Sequence, residues 1–220
     1  MCGRFHNHVQ AMHQWVDVLR DWPGAHTVGF NVSPTQPAPI VLQSGAASAR
    51  WGLVPAWEKG FSTKYPTHNA RLETVAEKPT FRYAWKHAQT CLIPVAGFYE
   101  WKKEGSIKQP YFIHRPDDLL VFAGLWESWN DQLSFTILTT ASRGTIAGLH
   151  HRMPVMLDAT NAGEWLSSNL AETELLQGSS VVDAVEYYAV STQVNNSGSA
   201  GPICSQPLAP DAGSNHPFDF

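Results

Sequence analysis

The second residue of this chain could carry two nucleophiles at once. If Met1 is removed, Cys2 presents a free α-amine and, two bonds away, a thiol. The small residues after Met1 suit that removal. An α-amine has a reference pKa of about 7.7–8.0, against about 10.4 for Lys, so roughly a tenth of it is neutral near pH 7. A neutral amine adds to an aldehyde and loses water to give a Schiff base. The adjacent thiol can then close on the imine carbon to give a five-membered thiazolidine, and no internal Cys or Lys can do this. Position alone also admits a plainer role, because a lone Cys is usually a small buried hydrophobe.

Other residues could supply the proton chemistry. Glu100 stands in Val-Ala-Gly-Phe-Tyr-Glu-Trp, and a carboxylate on such an apolar strand must be paired or have a raised pKa. A raised pKa suits a general acid or base near neutrality. The alternative is an edge-strand Glu facing water, since Lys102 and Lys103 follow. His150 or His151, before Arg152-Met153-Pro154, could be an acid near pH 7 or an ordinary satisfied His. Asn69 could position a nucleophile by hydrogen bonding or cap a following helix. Arg4 and Arg71 could clamp phosphate or pair with Glu73. Nine Trp are many for 220 residues. Trp51, Trp57, Trp85 and Trp101 lie near basic residues, as base-stacking platforms would, although most Trp are core.

The elements that must position these groups read as α+β in one domain. A curled, mostly antiparallel, barrel-like sheet flanked by short helices is expected. Helical spacing predicts a helix over 9–20. Strands are predicted at 39–43, 48–54, 110–114, 120–127, 134–140, 155–157 and 185–190. A strand, a kink and a second strand are expected over 90–102. His68 to Thr74 reads as the start of a helical stretch, and Pro79 suits the first turn of a helix to Ala88. Short helices are expected at 160–168 and 171–177. Residues 1–194 form the domain, and 195–220, rich in Asn, Ser, Gly and Pro, read as an extended or partly disordered tail.

Composition limits the function classes. The net charge of −4 conceals a polarised chain. Nine Lys or Arg lie between residues 50 and 103 against four Glu, and none follows Arg152. Phosphate binding would therefore come from the middle of the chain, unless the basic stretch is only a solvated helix. No apolar run approaches the ~18–20 residues of a membrane span, and the first twenty residues lack a signal peptide's apolar segment. A cytoplasmic protein is expected, nucleoid-associated if bacterial, and a monomer. Three widely spaced Cys suit reduced thiols. No CxxC or HExxH spacing suggests a metal, and no cofactor is expected.

Six short motifs occur in order: Met1-Cys2-Gly3-Arg4-Phe5, Asn31-Val32-Ser33-Pro34, Trp51-Gly52-Leu53-Val54-Pro55, Asn69-Ala70-Arg71-Leu72-Glu73-Thr74, Gly97-Phe98-Tyr99-Glu100-Trp101-Lys102 and His150-His151-Arg152-Met153-Pro154. Together they resemble the SOS response associated peptidase family, the abasic-site-processing proteins. The resemblance implies a binder of single-stranded DNA at abasic sites that forms a thiazolidine between Cys2 and the ring-opened deoxyribose. It implies removal of the chain's own Met1 and an abasic-site lyase side activity. By position, Cys2 would be the nucleophile, Asn69 its orienting group, Glu100 an acid/base, and His150 the promoter of sugar ring opening. Arg4 and Arg71 resemble phosphate-binding positions. Pro34, Trp51 and Thr139 resemble pocket or DNA-contacting positions. Where the family carries an acidic residue after the His, this chain has His151.

Two other classes compete. Glutamine amidotransferases also begin Met-Cys-Gly, but their Arg-Gly and Asn-Gly-Glu substrate segments are missing here; release of ammonia from glutamine would identify one. A non-covalent single-strand binder using the basic, aromatic middle would give no shifted band on a denaturing gel with abasic DNA.

Overall fold

The computed structural model describes residues 2–8, 29–116, 118–167 and 180–208. In chain order the strands are β1 (Arg4–His6), β2 (Pro37–Leu42), β3 (Gly45–Trp51), β4 (Asn69–Arg71), β5 (Thr90–Val95), β6 (Gly97–Glu104), β7 (Ile107–His114), β8 (Leu120–Trp129), β9 (Gln132–Ala141), β10 (Arg152–Pro154), β11 (Met156–Leu157) and β12 (Glu186–Ala189). Two α-helices are described, α1 (Pro79–Lys86) and α2 (Ala159–Ser167).

Five strands close into a barrel in the order β9-β3-β2-β5-β8, with β8 pairing back to β9. A second, antiparallel sheet runs β1-β6-β7-β12. The expected α+β class with a barrel-like sheet is what the chain forms. Period-two alternation builds the core. Ile40, Ile93, Phe122 and Ile137 join one apolar cluster with Cys2, Phe5 and Phe98. Their neighbours Val41, Leu92, Val121 and Leu138 join a second, with Ala84 and Trp165 from the two helices. The β8–β9 hairpin turns at Asn130 and Asp131, both at positive φ (45° and 63°). That is the geometry a two-residue hairpin needs, and Asn and Asp tolerate it.

The strands expected from the sequence are present, with ends shifted by a few residues. The helix expected from His68 is not. Asn69, Ala70 and Arg71 instead form β4, parallel to β9. The reason is tertiary. β3 pairs with β9 only at Arg50 and Trp51, opposite Ser134 and Phe135. Beyond Phe135 that edge of β9 needs a new partner for its backbone groups. Asn69–Arg71 takes the place opposite Ile137–Thr139. Residues 52–68 are thus an excursion between two strands on one edge. The helices expected over 9–20 and 171–177 fall outside the described residues.

Packing continues past Asn195. Asn31 Nδ2 donates to the carbonyls of Val194, Asn196 and Ser199, and Cys204 is buried. Among the described residues no helix is long and apolar enough to cross a membrane.

Candidate functional site

β1 delivers the start of the chain to the second sheet. It pairs antiparallel with β6, with Arg4 opposite Tyr99 and His6 opposite Gly97. Continued by one residue, that register sets Gly3 across from Glu100. Gly97 leaves room for the Phe112 ring of the next strand, β7, since a Cβ there would lie 2.4 Å from Phe112 Cζ. The other edge of β1 is held by Phe5, whose backbone exchanges two hydrogen bonds with Val32.

Asn69 reaches the chain start directly. Its Nδ2 donates to the Cys2 carbonyl at 2.7 Å. On β4 it caps no helix, and its contact is with the Cys2 backbone. Glu100 is 3% exposed. Burial raises its carboxyl pKa above the ordinary range. His150 Nδ1 stands 3.9 Å from Glu100 Oε1. Burial lowers the His150 pKa. Burial thus favours the protonated carboxyl of Glu100 and the neutral imidazole of His150. His150 Nδ1 lies 3.0 Å from both the amide nitrogen and the carbonyl oxygen of Arg152, which can serve either tautomer. Its ring stacks on His151 at 4.3 Å.

Cys2 is 0% exposed. Burial pushes its thiol pKa well up, and the neighbouring Glu100 charge pushes it further. Its Sγ lies 3.6 Å from the Arg4 carbonyl. The chain start, Asn69, Glu100 and His150 are thus one cluster, closed over its thiol.

The candidate DNA-contacting residues divide into two groups. Arg71 is exposed on β4, Pro34 is half-buried in the Ser33–Gln36 turn, and Trp101 is half-buried with Nε1 donating to Asn195 Oδ1 at 2.6 Å. Three others have structural contacts. Trp51 is fully buried, 4.7 Å from Phe5, with Nε1 donating to the His68 carbonyl. Thr139 is fully buried, and its hydroxyl donates to the Ala70 carbonyl. The Arg4 guanidinium donates to Asn31 Oδ1 and to the carbonyls of Val194 and Asn195. Glu73 pairs with neither Arg4 nor Arg71. It takes two bonds from Arg152, at 2.7 and 2.8 Å, while Arg152 also donates to the Thr139 carbonyl.

The Arg152–Glu73 pair fixes the strand just after His150. Glu73→Gln is expected to lower unfolding stability by about 1 kcal/mol, at the low end because Glu73 is half exposed. Arg152 holds the Glu73 carboxyl below its ordinary value. Its contribution is therefore present above the ordinary carboxylate range and lost as pH falls through the lowered folded value. Urea unfolding should show the variant weaker at neutral pH and converging on the parent in acid. Equal midpoints at neutral pH would contradict this.

Two residues have signals the sequence did not sort. Trp57 is 62% exposed. Its turn is clamped by the β8–β9 hairpin, with Val54 N donating to Ser134 Oγ, Ala56 N to Glu127 Oε1, and Trp129 Nε1 to the Glu58 carbonyl. Lys108 on β7 holds its Nζ 5.9 Å from the Trp101 ring, and its charge acts on both Glu100 and His150. Among the described residues, no group of three or more His, Cys, Asp or Glu is placed to hold a metal ion.

Comparison with known proteins converges on one family. Residues 1–197 match the family described as SOS response associated peptidase (SRAP). A Bacillus subtilis protein named abasic site processing protein YoqW is 33% identical over 217 residues, covering 89% of this chain and 95% of its own. The abasic site processing protein HMCES of Xenopus tropicalis is 30% identical over 233 residues, covering 84% of this chain and 70% of its own. A crystal structure of a Bordetella bronchiseptica protein superposes with a TM-score of 0.75 at 26% identity, covering 86% of this chain and 100% of that one.

Proposed function

The chain belongs to the SOS response associated peptidase family, and from that premise we propose that it captures abasic sites in single-stranded DNA as a covalent thiazolidine on Cys2. The observation that carries this reading is the direct bond from Asn69 to the Cys2 carbonyl, beside the Glu100–His150 pair.

The chemistry balances without a cofactor. With Met1 in place the Cys2 nitrogen is an amide and its side chain is buried, so neither nucleophile is available. Autoproteolytic hydrolysis of the Met1–Cys2 bond consumes one water, releases Met1 as the free amino acid and frees the amine. An abasic sugar is mostly a closed hemiacetal. Neutral His150 takes the proton from its hydroxyl while Glu100 gives one to the ring oxygen, and the aldehyde opens. The amine adds to the carbonyl carbon. The His150 imidazolium returns its proton to Glu100, which passes it to the carbinolamine hydroxyl; this leaves as water, and a protonated imine remains. The thiol, relieved of its proton by the Glu100 carboxylate, adds to the protonated imine carbon to give the neutral thiazolidine, and Glu100 ends protonated as it began. In sum, aldehyde and aminothiol give thiazolidine and water. The same imine acidifies the neighbouring sugar carbon. Loss of that proton expels the 3′ phosphate, which is the lyase side reaction.

Lys108 and Arg71 supply positive charge beside Glu100, His150 and His151 for the DNA backbone. His150→Gln should slow crosslinking by about ten- to a hundredfold, at or below the lower end of the usual acid–base range, because its side chain is 21% exposed and water can partly replace it. Quenched time courses on denaturing gels would measure this, and an unchanged rate would remove His150 from the mechanism.

Access to the thiol gives a second test. Cys2, Cys91 and Cys204 are all buried, so protein that retains Met1 should label slowly with a thiol reagent. After Met1 removal one thiol should react quickly, and peptide mapping should place it at Cys2. A chain with one residue inserted between Met1 and Cys2 should fold and give no crosslink. Crosslinking by that chain would overturn the proposal.

A further inference from the structure

α1 is more basic than its packing requires. It buries only Ala84, leaning Phe81 and Trp85 on the cluster beneath β8. Lys78, Arg82 and Lys86 follow at intervals of four, so they form one stripe about 6 Å apart along the axis. All three are exposed. Among the described residues none of the three is within ion-pair distance of a carboxylate. Lys86 in the last turn complements the helix dipole. Lys78 stands at the opposite end, where the dipole disfavours a cation, so helix stability does not account for the stripe.

Beside the stripe is an aromatic feature. Tyr83 is 49% exposed, and its ring lies 4.1 Å from that of His87 at 30°. Both border a cleft of about 760 Å3 that Trp85, Arg82 and Lys86 also line. Cations in a row beside an open π-face are the pairing that single-stranded nucleic acid uses, with phosphates on the charges and a base on the ring. The helix begins eight residues after Arg71 in the chain.

Resting on the proposed capture of abasic DNA, we infer that the α1 face is a second DNA contact. It holds the backbone of the strand flanking the lesion on Lys78, Arg82 and Lys86, with a base against Tyr83. This contact grips undamaged nucleotides and takes no part in the chemistry.

The test compares two single-stranded abasic oligonucleotides, one only a few nucleotides long around the lesion and one extended on both sides. The Lys78→Gln/Arg82→Gln/Lys86→Gln protein should crosslink the short one at the parent rate. It should bind the long one more weakly, and the slope of log affinity against log salt should shrink by about 2, from about 0.7 per lost phosphate contact. Tyr83→Ala should weaken binding of the long strand by about five- to a hundredfold while leaving the salt slope unchanged. If the triple variant keeps the parent's affinity and slope on the long strand, the α1 contact is wrong and capture stands. If the parent itself crosslinks neither strand, the capture reading fails and the α1 inference falls with it.

Discussion

Cys2→Ala protein, incubated with abasic single-stranded DNA, is expected to leave no adduct that survives heating. The variant still has a terminal α-amine once Met1 is removed, so the first half of the chemistry remains with it. Borohydride should therefore still trap an imine at the chain terminus. What is lost is ring closure, since the methyl group offers no nucleophile to the imine carbon. Open imines hydrolyse, so the untrapped product should fall to background. The substitution is gentle, because Cys2 behaves in the fold as a small buried apolar side chain in the cluster with Phe5 and Trp51. Circular dichroism should confirm an unchanged fold. A heat-stable adduct from this variant would mean that another residue holds the sugar.

The second large effect is expected at Glu100. Glu100→Gln keeps the size of the side chain and removes its ability to carry a proton in exchange. Three steps of the proposed sequence use that proton: ring opening, loss of water, and relief of the thiol. Crosslinking should slow by about 10²–10⁴, the usual range for a positioned acid–base group. The pH profile distinguishes this from a packing defect. Burial raises the parent Glu100 pKa, so the parent rate should break at a pH above the ordinary carboxylate range, and Glu100→Gln should lack that break. Stability should move the other way. A buried carboxyl with a raised pKa opposes folding once pH exceeds its unfolded value, so Glu100→Gln is expected to be at least as stable as the parent at neutral pH. A variant that keeps both the parent rate and the parent break would exclude Glu100 from the chemistry.

Much of this site was legible because its residues declare themselves locally. A Cys after Met1 offers an N-terminal aminothiol, and a Glu between Tyr and Trp on an apolar strand is a candidate for burial. β5, β8 and β9 were legible as runs of apolar and β-branched residues. What was not legible depends on partners far along the chain. Asn69–Arg71 has no strand signal of its own and becomes β4 because β9 has an edge to fill. Arg4 is tied to Val194 and Asn195, about 190 residues away, and no local pattern announces that. Nor could spacing show that Glu73 belongs to Arg152 rather than to Arg71. Trp51 and Trp57 flank one turn and look alike in the sequence. One lies under Phe5 and the other faces solvent, because β3 ends between them and the excursion to β4 begins.

The most direct measurement is mass spectrometry of the crosslinked peptide after digestion of protein and DNA. The mechanism predicts a peptide that begins at Cys2, lacks Met1, carries the sugar residue less one water, and has no free thiol. A crosslinked peptide that retains Met1, or a sugar attached to a lysine or another internal residue, would contradict it.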